Sequence, residues 1–82
     1  MMKTKIFTYA IRKRIKIRFI YNLNEVTIEP YFLSKNKFDK KTIFGRVNSS
    51  NEIKEFEYEK IFNIRLLYTK KFSPIIPILK TA

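Results

Sequence analysis

The segment Ile15-Lys16-Ile17-Arg18-Phe19-Ile20-Tyr21 sets the pattern from which the fold can be worked out. Its odd-numbered positions are all large and apolar, whereas Lys16 and Arg18 lie between them. Since alternate side chains of an extended chain point to opposite faces, this pattern predicts a strand with one buried face and one solvated face. The chain on either side of this strand divides into one helix and four further strands.

The residues before this strand predict a short helix over Thr4–Lys13. Apolar residues recur there at spacings of three and four, which places a narrow apolar stripe on one side of a helix. Thr4 is a suitable N-cap, because its hydroxyl can accept a hydrogen bond from a free backbone N–H. The stripe consists of Ile6, Phe7, Ala10 and Ile11.

Four more short apolar segments follow, separated by polar turns. Pro30 lies within the first of them and predicts an edge strand or a bulge, because proline cannot donate a ladder hydrogen bond. Residues 59–61 predict a single helical turn. The predicted strands are Val26–Leu33, Thr42–Val47, Ile53–Tyr58 and Asn63–Tyr68. One helix followed by five short strands predicts a mainly β fold, a small and strongly bent barrel.

At 82 residues the chain is expected to form a single domain over residues 1–72, followed by an apolar tail at 73–82. Pro74 and Pro77 prevent this tail from forming a helix or a central strand. Two interpretations stay open. The tail lies extended over the barrel and closes its core, or it docks into another copy and makes a dimer.

The charge is strongly positive, with 18 Lys and Arg residues against 7 Asp and Glu and a net charge of +11. Such an excess favours phosphate-rich partners, above all nucleic acid. Codon bias in an AT-rich genome could also raise Lys on a solvated surface, but the same bias should raise Glu, and acids are scarce. The basic residues concentrate in residues 3–18, and over half of the acids lie in residues 52–59.

The absence of Cys and His restricts the possible chemistry. Without them the sequence predicts no disulfide, no metal site and no cofactor, and it lacks the commonest general base, which argues against an enzyme. Glu29 is the only acid flanked by expected core residues and is assigned a structural hydrogen-bonding role. No apolar run could span a bilayer, and no secretory signal is recognisable, which predicts a cytoplasmic protein without a membrane role.

The third strand contains Gly45, the only glycine, directly before Arg46. A lone glycine in a strand predicts a bulge or the close approach of another backbone, at a barrel corner or at a ligand. Arg46 and Phe44 share a face by period-two counting, so that Arg46 could grip a phosphate while the ring stacks a base. The alternative is an Arg that extends over a core Phe.

In the fourth strand, Phe56 and Tyr58 are expected in the core, which would place Lys54 at the barrel rim as a possible anion ligand. The glutamates at the odd-numbered positions point to the opposite face of the strand and are expected to form a solvated outer face without partners. These are Glu55, Glu57 and Glu59.

Several short segments of this sequence, taken together and in this order, resemble the WYL domain, a small module found mostly in bacterial transcription regulators. Tyr21 matches the aromatic that ends the first strand of that family, and Glu29-Pro30-Tyr31 matches the block that opens the next. The Trp-Tyr-Leu tripeptide falls on Lys41-Thr42-Ile43, which keeps only the aliphatic residue, and Gly45 fits the small position after it. Lys54 and Lys60 stand where Arg is usual, with Phe56 and Ile61 in register. The resemblance covers roughly residues 8 to 70.

The resemblance implies a Sm-like, SH3-type barrel that binds a nucleotide, an oligonucleotide or another anionic ligand. Family members usually carry a preceding helix-turn-helix region, which is missing here, so a stand-alone or adaptor form is expected. Lys cannot reproduce the bidentate grip of Arg. The predicted phosphate contacts are Arg18, Lys41, Arg46, Lys54 and Lys60, with Tyr21 and Tyr31 as stacking or hydrogen-bonding partners.

A second function stays open beside the regulatory, ligand-binding one. The tail and the acidic face of the fourth strand could engage a partner protein or a second copy, in a homodimer or a larger regulatory complex. This hypothesis would make the protein an interaction adaptor or an oligomerising accessory subunit.

Overall fold

The computed structural model describes the backbone of residues 2–72 and the side chains of residues 3–68 and 72. The chain begins with a helix, continues through four strands, and makes one 3-10 turn at Tyr58–Lys60 before a last strand. The elements are α1 (Met2–Lys13), β1 (Ile15–Tyr21), β2 (Asn24–Lys35), β3 (Lys41–Val47), β4 (Ile53–Glu57) and β5 (Ile61–Lys71).

All five strands belong to one antiparallel sheet with the order β4-β3-β2-β1-β5. The first four strands form a meander, and the chain then returns so that β5 pairs with β1. Within residues 2–72, β4 and β5 remain the two edges, so the sheet does not close. The predicted class is confirmed: a mainly β domain of five strands with one helix at its N-terminal end.

The element boundaries differ from the predicted ones where side-chain patterns give no signal. The helix begins at Met2, so Thr4 lies inside its first turn and is not the N-cap. Strand β5 extends from Ile61 to Lys71, because its backbone stays hydrogen-bonded to β1 as far as the Ile15–Lys71 pair. The predicted segment Asn63–Tyr68 was only the middle of this strand.

The core lies between α1 and one face of the sheet. Phe7, Ala10 and Ile11 are buried on the inner side of the helix, as the predicted stripe requires. The Phe7 ring meets Tyr58 edge-on, with 5.1 Å between ring centroids. The sheet contributes the buried side chains Ile17, Phe19, Ile28, Ile43, Val47, Phe56 and Ile61.

The β2–β3 pair changes register directly beside Pro30, where Pro30 lies opposite Gly45. Pro30 is also beyond the last pair between β1 and β2, Ile17–Ile28, so its missing N–H interrupts no ladder on that side. A Cβ built on Gly45 would lie 2.7 Å from the backbone oxygen of Glu29 and 2.7 Å from Ile28 Cδ1. The predicted bulge and the predicted close approach are therefore both present at this point.

Phe72 anchors the end of the described chain. Its N–H donates a hydrogen bond of 3.1 Å to the carbonyl oxygen of Arg14, and its buried ring meets Tyr31 edge-on at 5.7 Å. Residues 73–82 lie outside the described residues, so both interpretations of the tail stay predictions.

Candidate anion-binding site

A buried carboxylate and a half-buried guanidinium form the most strongly bonded polar contact on the sheet. Glu29 in β2 and Arg46 in β3 are opposite each other in the register. Arg46 Nε donates to Glu29 Oε1 at 2.9 Å, and Arg46 Nη2 donates to Oε2 at 2.8 Å. Glu29 is only 3% exposed. This two-pronged geometry is the strongest that an Arg–carboxylate pair can adopt.

Further polar groups complete this contact. Tyr31 Oη donates to Glu29 Oε1 at 3.0 Å, and Lys16 Nζ lies 3.9 Å from Glu29 Oε2. Two asparagines of the β3–β4 connection accept hydrogen bonds from the cations, Asn48 from Lys16 and Asn51 from Arg46, both at 3.0 Å. We call Lys16, Glu29, Tyr31, Arg46, Asn48 and Asn51 the Glu29 cluster. It joins β1, β2 and β3 and holds two cations around one acid.

Opposing effects act on the pKa of Glu29. Burial alone raises this pKa, because a carboxylate loses solvation in the interior. The hydrogen bonds from Arg46 and Tyr31 and the charges of Arg46 and Lys16 outweigh burial, so the pKa of Glu29 lies below its ordinary value of 4.5. The hydrogen bond to Glu29 raises the pKa of Arg46. The pair is therefore fully ionised at neutral pH.

The structure separates the five predicted phosphate contacts into two groups. Arg46, Lys54 and Lys60 are each paired with a carboxylate of this chain, Lys54 with Glu52 at 3.6 Å and Lys60 with Glu57 at 3.7 Å. Arg18 and Lys41 are exposed and form no ion pair with a described residue. Arg18 also lines a surface groove at the β1–β5 pair.

The acidic face of β4 is not without partners, and that expectation was wrong. Glu55 Oε2 accepts a hydrogen bond from Thr42 Oγ1 at 2.8 Å, and Glu59 lies 3.7 Å from Lys40. The reason is that β3 and the loop before it bring basic and hydroxyl side chains alongside β4. Phe56 and Tyr58 are buried, as predicted.

The two predicted tyrosines have internal partners. Tyr31 is fully buried and belongs to the Glu29 cluster. Tyr21 is half-buried, its ring lies edge-on to Phe56 at 5.0 Å, and its hydroxyl accepts a hydrogen bond from the Glu57 N–H at 3.2 Å. Both side chains hydrogen-bond inside the domain.

We expect Tyr21→Phe to destabilise the domain by about 1 kcal/mol, because the Glu57 N–H loses its acceptor while the ring contacts with Phe56 persist. Urea unfolding followed by circular dichroism measures this difference. Tyr68→Phe is the matched control, since Tyr68 is 62% exposed and should change stability very little. Equal midpoints for both variants would contradict the role assigned to Tyr21.

A groove of about 310 Å³ lies on the outer face where β1 meets β5. Arg18 and Arg65 are paired opposite each other in the register of these strands, and both are exposed. Neither forms an ion pair with a described residue. The groove is lined by Arg18, Phe19, Ile20, Glu25, Asn63 and Arg65.

The exposed cations of the described domain fall into two sets, those with an ion pair and those without one. The pairs Lys35–Asp39, Lys40–Glu59, Lys54–Glu52 and Lys60–Glu57 neutralise the side built from β2, β3 and β4. Exposed cations without an ion pair to a described residue lie mainly in α1, at the residue after it, and at the β1–β5 pair. They are Lys5, Arg12, Lys13, Arg14, Arg18 and Arg65, with Lys37 and Lys41 elsewhere. Most of the exposed cations without an ion pair to a described residue therefore belong to α1, to the residue after it and to the β1–β5 pair.

Sequence patterns alone missed Lys16, Asn48, Asn51 and Arg65. The polar parity of β1 indicated that Lys16 is on the outer face, but its partners depend on strand register. Among the described residues, no group of three acidic side chains is arranged to hold a metal ion. None of the described helical residues forms a segment long and apolar enough to cross a bilayer.

Comparison with known proteins supports the fold. No protein-family model matches this sequence, and a search of curated proteins finds no match. Among solved structures, the chain is similar to proteasome accessory factor B/C (PafBC) of Arthrobacter aurescens, with a TM-score of 0.78 and 20% identity. The match covers 87% of this chain but only 12% of that protein. The chain therefore shares the fold of one segment of a much larger protein, which supports the WYL-like fold expected from the sequence.

Proposed function

We propose that this domain is a WYL-like regulatory module that binds single-stranded nucleic acid or a nucleotide. The observation that carries the proposal is a set of exposed cations that form no ion pair with a described residue and belong mainly to α1, the residue after it and the β1–β5 pair. A cation that is already paired with a carboxylate gains little binding free energy from a phosphate. An unpaired cation releases counterions when it binds a phosphate. The fold likeness to a segment of PafBC supports a regulatory, ligand-binding module.

We also propose that the module acts by binding and not by catalysis, in the cytoplasm. The sequence contains no His and no Cys, and the one buried carboxylate, Glu29, is engaged by Arg46 and Tyr31. The acidic side of β4 gives no specific support to the alternative adaptor role, because its carboxylates are bonded within the domain.

Binding of a fluorescein-labelled oligodeoxythymidine of about 12 nucleotides, within the usual site sizes of small single-strand-binding barrels, tests the proposal. About four phosphate contacts would give a log–log salt slope of about −2.8, so that raising the salt about fourfold weakens binding about fiftyfold. Fluorescence anisotropy at two salt concentrations measures the slope. If a mononucleotide at equal phosphate concentration displaces the oligonucleotide, the ligand is a nucleotide and not a strand. Absence of binding at low salt would refute the proposal.

A further inference from the structure

The arginines Arg18 and Arg65 are an unfavourable pair unless an anion lies between them. Like charges directly opposite each other on neighbouring antiparallel strands destabilise a sheet. Here both side chains are exposed, and neither has an ion pair or a side-chain hydrogen bond to a described residue. By contrast, Lys16, two residues before Arg18 on the same strand, shares the carboxylate of Glu29 with Arg46.

The local backbone directs this pair into a groove. Between the register pairs Arg18–Arg65 and Ile20–Phe62, β1 contains one residue and β5 contains two, which is a bulge in β5. Asn63 in the bulge has a φ of 54°, the left-handed region that Asn adopts more readily than most residues. Bulges redirect side chains next to binding sites. As a result Asn63 and Arg65 line the same groove as Arg18.

We propose that Arg18 and Arg65 form a clamp for one phosphate group, with the Asn63 amide as an additional hydrogen-bond donor. Two guanidinium groups offer more N–H donors than a single phosphate can use, and a bound phosphate removes the repulsion between them. The ligand class is a phosphodiester of a single strand or the phosphate of a nucleotide. This inference rests on the proposed function and assigns it a site that includes Arg65 and Asn63.

Glu25 supplies a test of opposite sign. It lines the same groove and forms no ion pair with a described residue. Its negative charge would repel a phosphate bound in the groove, and salt screens this short-range repulsion only in part. Removing that charge should therefore strengthen binding, whereas removing an acid elsewhere should change it little.

The experiment measures anisotropy of the same labelled oligodeoxythymidine with wild type, Arg18→Gln, Arg65→Gln and the double variant. Each single substitution should weaken binding about tenfold and reduce the salt slope by about 0.7. The double variant should be little weaker than either single variant, because both arginines hold one phosphate. The charge-matched control is Lys35→Gln/Lys40→Gln, whose lysines are already ion-paired, and it should bind within about threefold of wild type.

Two further measurements separate binding from folding. Glu25→Gln should bind a few times more tightly, while Glu59→Gln should bind as wild type does. Thermal unfolding of Arg65→Gln should give a midpoint equal to or above that of wild type, since repulsion is relieved. A double arginine variant that binds like the Lys35/Lys40 control would overturn the clamp and leave the proposed function standing. A wild-type protein that fails to bind at low salt would overturn both.

Discussion

Replacing Glu29 with Gln is expected to destabilise the domain by about 2–3 kcal/mol, although the change keeps the size of the side chain. The carboxylate is 3% exposed and accepts three hydrogen bonds, two from Arg46 and one from Tyr31. An amide offers one acceptor oxygen and turns an N–H donor toward groups that are themselves donors. The loss stays below that of a fully buried ion pair, because Arg46 and Lys16 are 24% and 21% exposed and can be hydrated. Urea unfolding at neutral pH measures the difference.

Glu59→Gln is the matched control for this prediction. Glu59 also pairs with a cation, Lys40, at 3.7 Å, but its side chain is 61% exposed. Exposed ion pairs contribute about 0–1 kcal/mol, so this variant should be nearly as stable as wild type. If Glu29→Gln and Glu59→Gln unfolded at the same urea concentration, the cluster around Glu29 would have no special structural importance.

The stability difference between wild type and Glu29→Gln should also depend on pH. Because the pKa of Glu29 is lower in the folded protein than its ordinary value of 4.5, the unfolded chain binds the proton more readily. The stabilisation is therefore complete above the unfolded-state pKa and is lost as the pH falls through the folded-state pKa. Unfolding measured at several pH values below neutrality should show the two proteins converging in acid. A constant difference would contradict an ionised Glu29.

The elements of this fold could be predicted because their signals are local. The alternation in Ile15–Tyr21 and the apolar stripe of α1 each reflect one side facing the core. The extra length of β2, and of β5 at its C-terminal end, could not be predicted, since the polar residues there are joined to the sheet by backbone pairing and give no apolar signal. Thr4 was misassigned because the helix already begins at Met2, two residues before it.

The site was less predictable, because its contacts depend on which residues face each other. Glu29 was correctly assigned a structural hydrogen-bonding role, but its partner Arg46 is 17 positions away and is identified only by the β2–β3 register. Arg65 carries no local signal at all. Its position opposite Arg18 follows from the β1–β5 pairing and from the bulge at Asn63, both of which are long-range features.

The second large effect is expected at Gly45, where replacement by Ala should destabilise the domain by about 2 kcal/mol. Alanine in place of glycine within a strand normally stabilises by about 0.5–1 kcal/mol, because glycine loses more backbone freedom on folding. Here the added Cβ would lie 2.7 Å from the Glu29 backbone oxygen, which cannot move unless β2 and β3 separate. The clash therefore reverses the usual sign. Urea unfolding measures it, with Lys41→Ala, at an exposed position of the same strand, as the control.

The damage at Gly45 should extend to the neighbouring ion pair. Gly45 directly precedes Arg46, and the backbone oxygen that its Cβ would strike belongs to Glu29, the partner of Arg46. Moving β2 away from β3 lengthens the two hydrogen bonds of this pair, so Gly45→Ala and Glu29→Gln should remove part of the same stabilisation. The double variant is then expected to lose clearly less than the sum of the two single losses. Additive losses would mean that the glycine serves backbone packing alone and that the ion pair tolerates the displaced strand.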